Sequence, residues 1–444
     1  MSPPDKFWSF QNMGYAPVIA VFMTLAPILS VQKALVMSPI LALSSFVILS
    51  TSWRRLRIPI DRYFIAIIGA GLVWCAVSSF WSFDTVFSLI NVLMLVGSVF
   101  IGLIFVEGFR QLDPKQQQMV VLGLTIGLIV TAVIALSLGV IERTGLLKNL
   151  LSNEAFGQVH NRLNRMARTA TILALLVWPT AAWLVRLGRP KLAVIVLILV
   201  VPAVFISFDL AAKSALLAGA LVWGAARIRL GFTSIALAVI MVATILCSPL
   251  ASRHLPDSSV SAQWSWLPSS AHHRLTIWTF VGQHIVQKPL FGWGFESSRD
   301  IPGGKDELVV VRHGACEVPS HQNMIAVEGL ADPVPFNCIA REPRLPLHPH
   351  DAWLQIWLEL GVVGTLLAAA LLWRIATSVR RSAKGQRGSA ALALATTTSA
   401  FVISSVAFGT WQNWWLCSIW VAVALTAPLL TPRDTPPLTD SQPA

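Results

Sequence analysis

Two histidines and an aspartate, His348, His350 and Asp351, stand directly ahead of an apolar run in "HPHDAWLQIWLELGVVG" (348–364), and Glu359 lies inside that run. A neutral imidazole accepts a proton near neutral pH, and the amino end of a helix disfavours the imidazolium form. Pro349 disfavours helical geometry at the residue before it. The helix is therefore expected to begin at or after Pro349, with His350 in its first turn and Asp351 placed to cap it or to complement its dipole. His350 is a candidate general base; the alternative is a polar residue that only starts the apolar segment. Glu359 follows nine residues later. At about 100° per residue a regular helix turns it half a turn away from His350. It is expected to meet a buried arginine or another polar helix contact instead of the imidazole.

Cations form the second group: Arg162, Arg165 and Arg168 in "HNRLNRMAR", Lys213 in "DLAAKSALLAG", Arg274, and Arg299 in "PLFGWGFESSR". Guanidinium forks bind phosphate oxygens in pairs, so these residues could neutralise an anionic ligand; each alone could equally anchor a lipid headgroup or lie on a solvated face. The chain has no Walker-type loop, Cys-Cys zinc pattern or Asp-x-Asp signature, and His348/His350 and His272/His273 lack an evident third metal ligand. No metal site is expected.

Apolar elements must hold these side chains. The sequence is 55% hydrophobic and 12% charged over 444 residues, against about 25% charged in soluble domains. Apolar windows long enough to cross a bilayer lie near 15–31, 34–51, 63–80, 85–106, 119–138, 169–187, 191–208, 212–226, 232–250, 351–373, 389–408 and 411–430. The expected fold is an all-α polytopic membrane protein of about twelve transmembrane helices. Spans one to nine fill 1–250, with an outside loop near 139–168; a large extracytoplasmic loop covers 251–350; spans ten to twelve fill 351–430. The Pro-rich tail 431–444 is expected to be disordered and cytoplasmic. Residues 1–14 have no apolar core, so no cleavable signal peptide is expected. With both termini inside, 18 of the 33 basic residues fall in inside segments, whereas the short outside loops hold only Lys33 and Lys213. That asymmetry sets the orientation and accounts for much of the net charge of +12 without nucleic acid. All nine histidines then fall in or beside the two long outside loops.

The loop before span ten opens with helical spacing at Leu275, Trp278, Val281 and Ile285, stopped by Pro289 and the Gly292–Gly294 turn; 300–347 is expected to be irregular. Cys316 and Cys338 share this loop, while Cys75, Cys247 and Cys417 lie in or beside spans. In an oxidising compartment the outside pair is expected to form a disulfide; two free thiols are the alternative.

Four stretches together carry a resemblance. "HDAWLQIWLELGVVG" resembles the His-Asn…Glu-x-Gly-x-x-Gly signature of the bacterial O-antigen ligase and polymerase family. "RLTIW" (274–278) with "PLFGWGFESSR" (289–299), "LNRMARTATILALLVWP" (163–179) and "AKSALLAG" are similar to that family's other segments, in the same order. Asp351 stands where the family usually has Asn, and Lys213 where many members carry Arg.

The resemblance implies an inverting glycosyltransferase of the bacterial inner (plasma) membrane, active at the periplasmic face without metal, nucleotide or other cofactor. Its donor would be a glycan on undecaprenyl diphosphate and its acceptor a sugar hydroxyl of lipid A–core or of another lipid-linked glycan. His350 would be the base, Arg274, Lys213 and Arg165 would bind the diphosphate, and Asp351, Glu359 and Arg299 would support them. A ligase is the first expectation, a polymerase the second and a polytopic transporter or flippase the third.

Overall fold

The computed structural model describes residues 14–54, 56, 61–144, 166–256, 264, 269–311, 324–325, 334–335, 339–382 and 386–430. Arg162, Arg165, Cys316, Cys338 and the tail 431–444 lie outside the described residues. The protein is an all-α multi-pass membrane protein. In chain order the helices are α1 (Ala16–Ser30), α2 (Met37–Ser52), α3 (Arg62–Ser78), α4 (Thr85–Gln111), α5 (Pro114–Thr144), α6 (Ala167–Arg186), α7 (Pro190–Ile206), α8 (Leu210–Arg253), α9 (Ser269–Gln287), α10 (Ala352–Ser382), α11 (Arg387–Val406) and α12 (Asn413–Leu430). Among the described residues nine helical stretches are long and apolar enough to cross a membrane, and α1 and α7 are shorter apolar helices.

Aspartates mark where helices start. Asp61 accepts from the Tyr63 and Phe64 amides, Asp84 from Phe87, Asp113 from Lys115 and Gln116, Asp209 from Ala211, and Asp351 from Trp353 and Leu354. Each satisfies first-turn donors that a helix leaves unpaired, an interaction worth about 1 kcal/mol.

The segments expected as spans eight and nine form one continuous stretch, α8, broken at Arg229 (φ −135°, ψ 72°). Their partners show that α8 folds back on itself. Asp209, at its start, acts on Arg274 of α9. Ser252, at its end, lies against Gly282 of α9, where an added Cβ would fall 2.3 Å from its Oγ. The middle instead bonds α10 late in that helix, Ser234 Oγ to the Ala376 carbonyl at 2.8 Å. Both ends of α8 thus lie at the histidine end and Arg229 at the apex of a V.

Close approach elsewhere depends on small residues. A Cβ on Gly123 or Gly127 of α5 would lie 2.5 Å or 2.4 Å from the Ala20 or Thr24 carbonyl oxygen of α1. Helix α6 is central, with every residue from Thr169 to Leu184 buried, so the polar residues at its start meet protein.

In α9 the buried stripe is Ile277, Phe280, Val281 and Ile285, packed on Ile301, Leu345, Leu354 and Leu358. Leu275 and Trp278 of the expected stripe are only half-buried; Trp278 turns toward the histidine loop instead. The 300–347 stretch is not wholly irregular. β1 (Glu307–Val311) pairs antiparallel with β4 (Ile339–Pro343), Glu307 opposite Pro343, and β2 (Met324–Ile325) pairs with β3 (Val334–Pro335).

Candidate functional site

His350 stands one residue before the cap of α10, not in its first turn. The helix begins at Ala352, and Asp351 receives the Trp353 and Leu354 amides at 2.8 and 3.0 Å. Enclosure of its carboxyl pushes Asp351 up to about 7, against the pull of those two N–H groups. His350 has φ +57°, left-handed for a residue with a Cβ, which costs about 1–2 kcal/mol. Hydrogen bonds around the loop hold it there. The His350 amide donates to His348 Nδ1 (3.2 Å), and Trp278 Nε1 donates to the Pro349 carbonyl (3.0 Å). His350 Nδ1 lies 2.7 Å from the Ala407 carbonyl at the end of α11.

A carbonyl can only accept, so Nδ1 of His350 carries the hydrogen and Nε2 the lone pair. Among the described residues nothing donates to Nε2. Burial lowers His350 to about 4; the Ala407 bond opposes this, while Arg274 and His273 add to it. The ring is therefore neutral near pH 7, with its accepting nitrogen free.

His348 packs edge-on to His350, ring centroids 4.4 Å apart. Gln412 Nε2 lies 2.9 Å from its Nε2, and a Cβ on Gly409 would sit 2.9 Å from its ring, so that position must be open. Burial lowers His348 to about 3, followed by His350, Arg299, Arg168 and Arg274. Charges from α6, α9 and the loop after α9 thus act together against protonation of this histidine.

Arg274 sits one turn before Trp278 on α9, half-buried, its Nε enclosed without a hydrogen-bond partner among the described residues. Burial lowers its pKa and Asp209 raises it. Asp209 accepts a 2.8 Å bond from Thr171 Oγ1 of α6, and burial raises its own pKa. Lys213, one turn into α8, feels the charges of Arg143 and Asp209. Asp209 thus acts on both Arg274 and Lys213. Arg299 lies over Phe87, 4.9 Å from the ring centroid, and its Nε is 3.4 Å from Glu296 Oε2.

Glu359 meets no arginine among its hydrogen-bond partners. Its fully buried carboxylate receives Ser298 Oγ (2.5 Å), Gln355 Nε2 (3.0 Å), the Glu296 amide (3.0 Å) and Trp411 Nε1 (2.6 Å). It ties three segments together. Just beyond it α10 is not a regular helix: Gly361 has φ 63° and ψ −160°, a region essentially confined to glycine. At the break three carbonyls accept from outside the helix, from the 289–294 loop and α3. Trp293 N donates to Leu358 O (2.8 Å), Gly294 N to Glu359 O (2.9 Å) and Trp74 Nε1 to Leu360 O (2.9 Å); Val362 N turns to Pro289 O (2.9 Å). Gly292 and Gly361 meet backbone to backbone, a Cβ on either falling 2.4 Å from a carbonyl oxygen opposite. The "PLFGWG" and "ELG" glycines are therefore two halves of one clasp, which fixes the loop carrying Arg299 to the helix led by His350.

Sequence reasoning named Arg168 among the cations but gave Asp209 and Glu296 no role. Asp209 was visible as a charge beside a span. Glu296, buried with φ +58°, carried no local signal.

No family model matches the chain. It is similar to a Rickettsia bellii protein named "Putative polysaccharide ligase", 26% identical over 79% of this chain and 77% of that protein. A Rickettsia typhi protein of the same description is 25% identical over 83% of this chain and 80% of its own length. A Rickettsia conorii relative is 26% identical over 59% of this chain, and the match spans 57% of that relative.

Proposed function

We propose that this membrane protein is a polysaccharide ligase that transfers a glycan from undecaprenyl diphosphate to a sugar hydroxyl, most simply on lipid A–core, at the periplasmic face. Both termini are then cytoplasmic. The observation that carries the proposal is His350 held neutral, its Nδ1 on the Ala407 carbonyl and its Nε2 without a donor among the described residues, within the electrostatic reach of Arg274.

A sugar hydroxyl is a poor nucleophile until a base takes its proton, and Nε2 is placed to do so. The new bond forms between that oxygen and the anomeric carbon of the donor. The bond from that carbon to the diphosphate breaks, and the electron pair leaves with undecaprenyl diphosphate. Diphosphate leaves as an anion and needs charge neutralisation, which the arginines and Lys213 supply; the unpartnered Arg274 Nε suits a phosphate oxygen. Attack opposite the leaving group inverts the anomeric centre. Burial and the charge of Arg274 hold the basicity of His350 down, and a bound diphosphate would offset that charge and raise it. Nothing in this sequence of steps calls on a metal or other cofactor.

The name borne by the Rickettsia relatives supports a role in polysaccharide joining. A transporter fits less well. Broken helices in transporters expose backbone groups to the cargo, whereas the carbonyls at the Gly361 break accept from protein donors. The deciding experiment is the lipid-linked glycan profile of a deletion strain. Long chains accumulating on the carrier support the ligase; single repeat units would show a polymerase instead, and an unchanged profile would refute both.

A further inference from the structure

The end of the molecule opposite the histidines gathers arginines from three helices. Arg227 and Arg229 flank Ile228 at the apex of the α8 V, Arg380 and Arg381 end α10, and Arg387 opens α11. Packing interleaves two of them with their neighbours. Arg227 Nη1 lies 3.4 Å from the position of a Cβ on Gly388 of α11, and Arg380 Nε lies 3.6 Å from one on Gly231 of α8. The Arg227 side chain thus reaches the first turn of α11, and that of Arg380 reaches the turn after the α8 kink. All five arginines are exposed.

Among the described residues no carboxylate pairs with any of the five; Asp61, at the same end, is taken by Arg374. Arg381 bonds a hydroxyl, Thr377 Oγ1 at 3.2 Å. Five like charges brought together by packing repel one another, and the arrangement favours an anion that bridges them.

The surface beside the cluster narrows the class of anion. Leu221, Ile228 and Phe232 are 75%, 81% and 74% exposed, and they continue the apolar face of α8 on both sides of the kink. In a multi-pass membrane protein acyl chains cover such a face. A ligand meeting both features has a fixed negative headgroup and an apolar tail. Guanidinium groups suit a phosphate head in particular, since they offer paired donors.

We propose that Arg227, Arg229, Arg380, Arg381 and Arg387 form a binding site for the phosphate headgroup of an anionic phospholipid, in the leaflet opposite the histidine end. The site is independent of the transfer reaction proposed above.

The test uses the full-length protein in detergent. Retention of phosphatidylglycerol against phosphatidylcholine is read by native mass spectrometry, with the thermal shift on adding each lipid as a second measure. The cluster variant is R227Q/R380Q/R387Q. A control, R54Q/K115Q/R189Q, removes the same charge from exposed positions elsewhere. At roughly a kcal/mol per basic residue near an anionic headgroup, the cluster variant should hold phosphatidylglycerol at least about tenfold more weakly. The control should hold it as the parent does, and R227K/R380K/R387K should recover most of the binding, which separates lost charge from misfolding. Equal weakening in cluster and control variants would reduce the effect to bulk charge and overturn the site. So would no weakening in either, or full displacement of the lipid by millimolar inorganic phosphate.

Discussion

Gly361→Ala tests the clasp directly. At φ 63° and ψ −160° a side chain costs about 1–3 kcal/mol in backbone strain. The added Cβ would lie 2.4 Å from the Leu290 carbonyl oxygen and 2.7 Å from the Gly292 amide nitrogen. Both are backbone atoms of the loop that the Trp293, Gly294 and Pro289 hydrogen bonds fasten to the helix, so relief requires moving the loop, at about another 1–3 kcal/mol. The sum, roughly 2–6 kcal/mol, is a large part of a typical stability of about 5–15 kcal/mol. The assay is thermal unfolding of purified protein in one detergent, beside Gly71→Ala. Gly71 is a helical glycine with nothing within 4 Å of its Cβ position, so alanine there should be neutral or stabilising by up to about 1 kcal/mol. Gly361→Ala should lower Tm by about 5 °C or more. Equal Tm values for the two variants would refute the backbone-to-backbone clasp.

His350→Ala should reduce glycan transfer by at least about a hundredfold while donor binding persists; near-normal turnover by the purified variant would remove His350 from the mechanism. Arg274→Lys should impair transfer and donor affinity, because the planar fork is lost although the charge stays, whereas Lys213→Arg should be tolerated; normal kinetics for the first would contradict bidentate contact. The pH dependence has a definite sign. His350 and His348 are depressed to about 4 and about 3 from an unfolded value near 6.5, so these two rings disfavour the folded state as pH falls below about 6.5, while Asp351, raised to about 7 from an unfolded value near 3.9, acts in the opposite sense over the same range. Chemical unfolding of Asp351→Asn, which removes the opposing group, should lose stability more steeply below about pH 6.5 than the parent does. In kinetics the acidic limb of kcat/KM, which reports the free enzyme, should lie well below 6.5, and that of kcat should lie higher because bound diphosphate offsets the arginines; coincident limbs would count against that field.

Much of the scaffold is legible in the chain. Hydropathy marks the apolar segments, and helices form along all of them because a backbone surrounded by lipid must satisfy its own hydrogen bonds. The aspartates ahead of α3, α4, α5, α8 and α10 signal helix starts through contacts two or three residues away. His350, Arg274, Asp351 and Glu359 stand out because polar residues beside apolar runs are rare. Other features depend on groups far apart in sequence. The tautomer of His350 is set by Ala407, 57 positions on. The break at Gly361 exists because Trp74, Pro289, Trp293 and Gly294 supply the partners the helix gives up. A helix expected to start at or after Pro349 therefore placed His350 in the first turn instead of ahead of the cap, and spacing gave Glu359 a polar helix contact without naming Gln355 or Trp411. Sequence spacing, which is local, determined the elements and the side chains able to react. Tertiary packing decided which nitrogen is free and where a helix yields its hydrogen bonds, because each is settled by groups that only folding brings within about 3 Å.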